Sequence, residues 1–406
     1  MNNSLKIQSK FNYLIISFIF TIVILFYGNF QFRTIFTWLP SLLVIFTSIL
    51  IFITYVKVNK VLLKVIFINS IWLLYALLFS FSVLNFEIHI KAILETLLYI
   101  LVFSIIIFYL SKDINKLFKT LLFSLNIFLF VSTIVLLFKI TGLYDNGHSF
   151  SSLYSNRNTF AFMALVYLTI VLNLPKYIIY RYKTIAIIML VIFILLTGSS
   201  KGVLGMVIIF GLFILKQYNF KKIIFILPVF LLLFSGSLLV FENTSDRLMQ
   251  KVDALSGMDD SYKADNIGHD SGKIRIFLAI NAINIFLDHK VSGVGVNNGQ
   301  YYLTLPDAKK NEMDSLNSQN NITEMLLNVG LPGFLMFYIP LLYLLYKSVK
   351  KNSIDNEIKT MVITLVILKI FMDIGMKSYN DAGHVFLLIL AWFLYYKILK
   401  KEGINR

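Results

Sequence analysis

The sequence contains no cysteine and few charged residues. With no Cys among 406 residues, disulfides and thiolate-bound metals are excluded. Charged residues make up 14% of the chain, whereas soluble domains carry about 25%. Hydrophobic residues make up 58%, and the mean hydropathy is +0.78. This composition excludes a water-soluble core and indicates one integral membrane domain.

Motifs of metal, nucleotide and nucleic-acid chemistry are also missing. The five histidines show no HxxxH spacing, and no glycine-rich loop leads into Lys-Ser or Lys-Thr, so we expect no metal, no cofactor and no ATP coupling. The net charge is +16, but the basic residues form short clusters between apolar runs, without an aromatic-interleaved basic surface. We therefore expect the partner to be the lipid bilayer and not a nucleic acid.

Apolar runs near 20 residues recur along the chain, and such a run crosses about 30 Å of hydrocarbon. They predict an all-α polytopic membrane protein with about 12 transmembrane helices. The predicted spans are 11–28, 36–56, 65–84, 93–110, 120–140, 159–175, 184–199, 202–216, 223–241, 322–346, 360–376 and 383–397. The first run follows Lys6 and Lys10 without a small-residue cleavage pattern, so it is expected to be an uncleaved helix.

The Lys and Arg distribution predicts the orientation. With the N-terminus inside, every inner loop is richer in Lys and Arg than any short outer loop, which predicts that both termini are cytoplasmic. Residues 1–241 then form transmembrane helices 1–9, residues 242–320 a large extracytoplasmic loop, and residues 321–406 helices 10–12. A connection this long is uncommon without a role, so we expect the external chemistry to involve it.

Within this loop the sequence predicts an amphipathic helix over about 273–288. Arg275 falls on its apolar face, among Ala279, Ala282, Ile283 and Phe286. A guanidinium there either reaches lipid headgroups or points into a protein cavity that binds an anion.

Two further cations lie at predicted outer helix ends. Arg157 follows Asn156, which can cap a span, and Lys201 lies in a tight reversal between two spans. Each is either an interfacial anchor or an anion ligand, since a helix N-terminus favours anions. If Arg157, Lys201 and Arg275 met, they would suit a pyrophosphate.

Polar side chains also enter the predicted spans. Asn321, Glu324 and Asn328 have the i, i+3, i+7 spacing of one helix face. An intramembrane carboxylate is costly, so Glu324 either acts as a general base or acceptor-binding group or ties helices together. Lys369 and Asp373, four residues apart, can form an ion pair, which would serve structure, substrate contact or proton coupling.

Four sequence pieces, in this order, resemble the O-antigen polymerase and O-antigen ligase family of bacterial membrane glycosyltransferases. They lie mainly in the second half of the chain, with the long outer loop between the second and fourth. The pieces are Asn156-Arg157-Asn158, residues 196–202 (LTGSSKG), Arg275 followed by residues 291–295 (VSGVG), and residues 320–333, which run from Asn320 through Glu324 to GLPG.

The resemblance implies a donor glycan on undecaprenyl pyrophosphate and metal-independent, inverting transfer at the outer face of the bacterial plasma (inner) membrane. It implies that Arg157, Lys201 and Arg275 hold the pyrophosphate and that Asn320 and Asn321 contribute to substrate binding. Arg275 and Glu324 are then the candidate catalytic residues. A chain-length regulator and a flippase are further candidate partners.

The sequence departs from the family pattern in two places. Ligases often have a His-Asn pair before the span that follows the large loop, and here Gln319 and Asn320 stand there; Lys201 stands where arginine is common. The missing histidine favours a polymerase of repeat units for capsule, O-antigen or exopolysaccharide. The alternatives are a ligase, a flippase or transporter for lipid-linked oligosaccharide, and a membrane scaffold. The absence of an internal repeat argues against a transporter.

Overall fold

The computed structural model describes residues 59–142, 150–151, 156–217, 271–303, 317–350 and 355–403, with single positions at 13, 15–17, 45, 48, 49 and 154. Every regular element in these ranges is helical. The spans predicted at 11–28, 36–56 and 223–241 lie wholly or mostly outside the described residues, as does much of the predicted outer loop.

Ten α-helices are described. They are α1 Lys60–Leu78, α2 Phe86–Ser111, α3 Ile114–Ile140, α4 Arg157–Leu172, α5 Lys183–Leu196, α6 Ser200–Gln217, α7 Ser271–Asp288, α8 Asn321–Lys350, α9 Asn356–Asp373 and α10 Ala382–Gly403. Four of them, α1, α2, α3 and α8, are long and apolar enough to cross a membrane by length and composition. The segments Arg157–Leu172, Lys183–Leu196 and Ala382–Lys397 are shorter apolar helices. The protein is a multi-pass membrane protein, whereas the total of 12 spans stays a prediction.

Several helices begin earlier than hydropathy predicts, because polar capping residues set their first turns. Asn59 accepts a hydrogen bond from the Val61 amide at 2.8 Å, and Asn85 accepts one from the Ile88 amide at 3.0 Å. Each side chain satisfies an amide that has no partner within the helix. As a result α1 begins at Lys60 where the hydropathy window begins at 65, and α2 begins at Phe86 where it begins at 93.

The helices alternate in direction, which gives the bundle two distinct ends. At the end that we call the polar end, α2, α4, α6, α8 and α10 begin and α1, α5 and α9 finish. At the opposite end the Lys397 ammonium donates to the Ser111 carbonyl at 3.1 Å, and Lys64 lies 5.5 Å from the Tyr396 ring centroid. Every residue of α4 from Thr159 to Leu172 is buried, so this helix lies at the centre of the bundle.

Helix α8 is broken at Gly330, whose backbone is left-handed at φ 67°. Pro332 has no amide hydrogen, so it cannot bond the Asn328 carbonyl as a regular helix requires. That carbonyl instead accepts the Gly295 amide at 2.9 Å, and the Leu327 carbonyl accepts the Val294 amide at 2.8 Å. The connection after α7 thus satisfies the carbonyls that the break leaves free.

Candidate functional site

The start of α8 is tied to neighbouring loops by the asparagines that the sequence analysis selected. The Asn320 side chain caps the helix by accepting the Ile322 amide at 2.9 Å. The Asn321 Oδ1 accepts the amides of Ser378 and Tyr379, both at 2.8 Å, and is fully buried. In the structure both asparagines therefore make hydrogen bonds within the protein, and their proposed contact with substrate stays a prediction.

Glu324 lies one turn further along α8 and is 1% exposed. Its Oε2 accepts the Ser318 amide at 2.8 Å, and its Oε1 accepts the Asn328 side-chain amide at 3.0 Å. The Lys377 ammonium lies 3.6 Å from Oε1. The expected stripe of Asn321, Glu324 and Asn328 is thus present on one buried face, and the Glu324 carboxylate has a positive partner.

The Lys369–Asp373 pair that the spacing indicated is formed inside α9, with both side chains fully buried. The Asp373 carboxylate also accepts the Tyr338 hydroxyl at 3.0 Å and contacts the Ser378 hydroxyl. Lys369 donates to Ser378 at 3.0 Å. Paired and hydrogen-bonded charges are the form in which ions are tolerated away from water, and this group ties α8 and α9 to the segment after α9.

A second polar group, which the sequence analysis did not select, joins residue 297 to the segment after α9. The Asn297 Oδ1 accepts hydrogen bonds from Lys377 at 2.5 Å, Tyr379 at 3.0 Å and Asn380 at 3.4 Å. Asn297 also has a left-handed backbone, with φ 60°. The run of polar residues at 377–381 between two apolar spans was the available signal, but nothing in the sequence connected it to residue 297.

Arg157 and Lys201 lie at neighbouring helix starts. Arg157 is the first residue of α4, and the next residue, Asn158, accepts the Ser199 hydroxyl at 2.8 Å. The Lys201 side chain packs against Gly375. A Cβ atom at Gly375 would be 2.5 Å from the Lys201 Cε and 3.1 Å from its Nζ. The polar end therefore brings the α4 start, Lys201 and the segment after α9 into one region.

Arg275 lies in the first half of α7, as expected for the helix predicted over about 273–288. The buried residues Leu278 and Ala282 pack this helix against Leu327 of α8. Arg275 is three and seven residues from them, at the edge of the same face, and is half-buried. The structure places Arg275 on α7, and the meeting of Arg157, Lys201 and Arg275 at one site stays a prediction.

The glycines of the 291–295 and 330–333 motifs are explained by their close packing. A Cβ at Gly293 would lie 2.4 Å from the Asn328 carbonyl carbon, and one at Gly330 would lie 2.2 Å from the Val291 carbonyl oxygen. Both glycines have positive φ, a conformation that costs other residues about 1–2 kcal/mol. Two of the four pieces that carried the family resemblance are therefore in direct contact.

Asp381 and His384 form a further polar feature at the start of α10. The Asp381 Oδ1 caps the helix by accepting the Gly383 amide at 2.9 Å and the His384 amide at 3.2 Å. Removal from water raises the pKa of the Asp381 carboxyl to about 6, against the opposing effect of these amides and of Lys369. A carboxyl that keeps its proton to this pH can exchange one near neutrality.

Comparison with known protein families gives a match over part of the chain. Residues 185–338 match the family model described as O-antigen ligase. A search of curated proteins gives no significant match. Among the described residues, no three His, Asp or Glu side chains are grouped so that they could hold a metal ion. The matched segment contains Lys201, Arg275 and Glu324 and ends at Tyr338, which bonds Asp373. The chain thus carries an O-antigen ligase domain over residues 185–338, which confirms its resemblance to the O-antigen ligase and polymerase family.

Proposed function

We propose that this protein polymerises oligosaccharide repeat units carried on undecaprenyl pyrophosphate into a surface polysaccharide, at the outer face of the bacterial inner membrane. The observation that carries the proposal is the O-antigen ligase match over residues 185–338, which includes Lys201 and Glu324. Lys201 lies against Gly375, two residues before Lys377, the partner of Glu324. The matched domain thus contributes a cation and a carboxylate to the same polar end.

In this reaction a hydroxyl of the acceptor glycan attacks the anomeric carbon of the donor sugar from the face opposite the pyrophosphate. The bond to the pyrophosphate oxygen breaks, and the leaving group departs with the electron pair. Arg157, Lys201 and Arg275 would stabilise the charge that develops on it, which is the kind of electrostatic assistance that lowers such barriers most. No metal or nucleotide takes part in this scheme.

The attacking hydroxyl must lose a proton. Glu324 is the acceptor that the sequence analysis selected, although its two oxygens already bond Ser318 and Asn328. Asp381 is a second candidate: its carboxyl has a raised pKa although its Oδ1 caps α10. Comparing Glu324→Gln with Asp381→Asn separates the two candidates. Only the variant that loses the true proton acceptor should lose the rise of the chain-growth rate with pH.

The cation assignment is tested by Arg157→Ala, Lys201→Ala and Arg275→Ala, with Lys290→Ala, an exposed basic residue near α7, as the matched control. We expect each of the first three variants to insert normally and to reduce chain growth by about 100-fold, so that surface glycan on a gel is limited to single repeats. Normal chain length in all three would overturn the assignment.

A ligase would use the same donor chemistry with a different acceptor, and a flippase would perform no chemistry. Purified protein in detergent, given only lipid-linked repeat units and no gradient, should form longer chains if it is a polymerase. A ligase would require an added acceptor, and a transporter would leave the units unchanged.

A further inference from the structure

Three hydrogen-bond donors at the polar end converge on a single oxygen atom. They are the Lys377 ammonium, the Tyr379 hydroxyl and the Asn380 side-chain amide, at 2.5, 3.0 and 3.4 Å from the Asn297 Oδ1. An amide oxygen has two lone pairs, so three donors are more than the number of lone pairs that one such acceptor offers. The arrangement is a site for oxygen atoms, and the side chain of Asn297 fills it.

The charges of this site favour a neutral ligand. The Lys377 ammonium is already paired with the Glu324 carboxylate at 3.6 Å, and the other two donors are uncharged. A phosphate placed here would approach that buried carboxylate, and like charges at short range are unfavourable. A neutral sugar oxygen would keep all three hydrogen bonds without that repulsion.

The site can be opened by rotation of one side chain. On one side of Asn297, the Val296 amide donates to the His89 Nδ1 at 2.8 Å. On the other side, Asn298 accepts the Asn85 amide at 2.8 Å and donates to its carbonyl at 3.1 Å. The backbone is therefore held while the partly exposed Asn297 side chain can turn away. The Lys377 side chain is 23% exposed, whereas Tyr379 is 1% exposed, so a ligand would reach the Tyr379 hydroxyl through the space that the Asn297 side chain leaves.

We propose that Lys377, Tyr379 and Asn380 form a saccharide subsite, which takes the carbonyl oxygen of an acetamido sugar in the place now held by the Asn297 amide. The acetamido group is the sugar substituent that most closely matches a carboxamide in shape and in hydrogen bonding. The inference rests on the proposed function, since it assigns part of the glycan to a place beside the matched domain. The Asn297 side chain then competes with the sugar for the subsite, and Lys377, Tyr379 and Asn380 donate the hydrogen bonds that bind the sugar.

The two kinds of residue have opposite predicted effects, which makes the proposal testable. Asn297→Gly removes the competing oxygen and keeps a residue that accepts positive φ, so it should tighten binding. Tyr379→Phe removes a donor, and with it the acceptor of the Asn297 backbone amide and the Asn328 side-chain amide, each at 3.3 Å. It keeps the ring that packs edge-on against Trp72 at 5.6 Å, so it should weaken binding. Tyr301→Phe is the matched control, because its exposed hydroxyl bonds Asn85 and not this site.

The measurement is a titration of the full-length protein in detergent with tri-N-acetylchitotriose, and with cellotriose as the probe that lacks acetamido groups. One neutral hydrogen bond corresponds to about a two- to tenfold change in affinity. We expect Asn297→Gly to bind chitotriose tighter by this factor, Tyr379→Phe and Asn380→Ala to bind it more weakly, Tyr301→Phe to match wild type, and cellotriose to bind least.

Equal binding by all variants, or no binding of chitotriose even by Asn297→Gly, would overturn the subsite. Inorganic pyrophosphate binding that Tyr379→Phe and Asn380→Ala abolish, with no saccharide binding, would also overturn it. If the expected binding pattern is found in a protein that forms no chains from lipid-linked units, the subsite is supported and the polymerase reaction is contradicted. If chains form but these variants change neither saccharide binding nor chain growth, the reaction is supported and the subsite is contradicted.

Discussion

Gly375 controls where Lys201 can lie. Any side chain at Gly375 would place its Cβ 2.5 Å from the Lys201 Cε, far inside contact distance. The lysine is flexible and would be displaced while the fold is kept, so the effect should fall on the cation and not on stability.

We therefore predict that Gly375→Ala reduces chain growth by about tenfold, because a displacement of about 1 Å in a reacting group has effects of this order or larger. In a Lys201→Ala background the same change should have no further effect. Gly211→Ala is the matched control, since nothing lies within 4 Å of its Cβ position. Additive losses in the double variant would show that Gly375 does not act through Lys201.

Asp381 should make stability depend on pH. Its pKa is raised to about 6 in the folded protein, mainly by removal from water, against an ordinary value of about 4 in the unfolded chain. The folded state therefore binds this proton more tightly. The stabilisation is complete below about pH 4 and is lost as pH rises through about 6.

We predict that the free energy of unfolding falls by up to about 3 kcal/mol over this range. Asp381→Asn keeps an oxygen that can cap α10 but does not titrate, so its stability should lack this part of the slope. Thermal unfolding in detergent between about pH 4 and 7 measures both proteins. If the thermal stability of the wild type and of Asp381→Asn changed with pH in parallel, the raised pKa of Asp381 would be contradicted.

At the scale of elements, the break in α8 holds the connection after α7 in place. The Leu331 amide donates to the Lys290 carbonyl at 2.8 Å, and the Tyr75 hydroxyl of α1 donates to the Val291 carbonyl at 2.7 Å. The break thus joins α1, α8 and the connection, and it leads directly to Asn297. In a regular helix through residue 330 the Leu331 amide would bond within α8 and would not be available to the Lys290 carbonyl.

Gly330→Ala should be strongly destabilising. Its Cβ would lie 2.2 Å from the Val291 carbonyl oxygen, which belongs to backbone and cannot turn aside, and φ 67° adds its own cost. We expect a loss of about 3 kcal/mol, measured as a lower thermal midpoint in detergent. Gly211→Ala in α6 should be neutral or stabilising by up to about 1 kcal/mol. Equal midpoints for the two variants would argue against the role of the break.

At the scale of the whole molecule, the distribution of Lys and Arg predicts that the polar end faces outward. The chain has no cysteine, so single introduced cysteines report the orientation without background labelling. Phe81, 97% exposed in the turn between α1 and α2, lies at the polar end. Asn115, exposed at the start of α3, lies at the opposite end.

We predict that Phe81→Cys reacts with an impermeant maleimide in intact cells and that Asn115→Cys reacts only after lysis. The cysteine-free parent is the blank for both. The reverse pattern would invert the topology and place the proposed chemistry on the cytoplasmic side.

The sequence by itself determined what lies within one helix. Apolar runs located the described spans, and helical periodicity brought Asn321, Glu324 and Asn328 onto one face and paired Lys369 with Asp373, because neighbours three to seven residues apart on a helix are fixed by its geometry. Hydropathy missed the first turns of α1 and α2, which follow capping asparagines, and it placed the end of α1 at residue 84, whereas the helix ends at Leu78.

Only the tertiary structure decided which distant residues meet. Lys201 contacts Gly375, and Asn297 receives donors from residues 377, 379 and 380. These contacts join segments about 80 or more residues apart, and no local pattern specifies them. They depend on the break at Gly330 and on the packing of α8 and α9, where the satisfaction of free carbonyls and buried charges selects one arrangement.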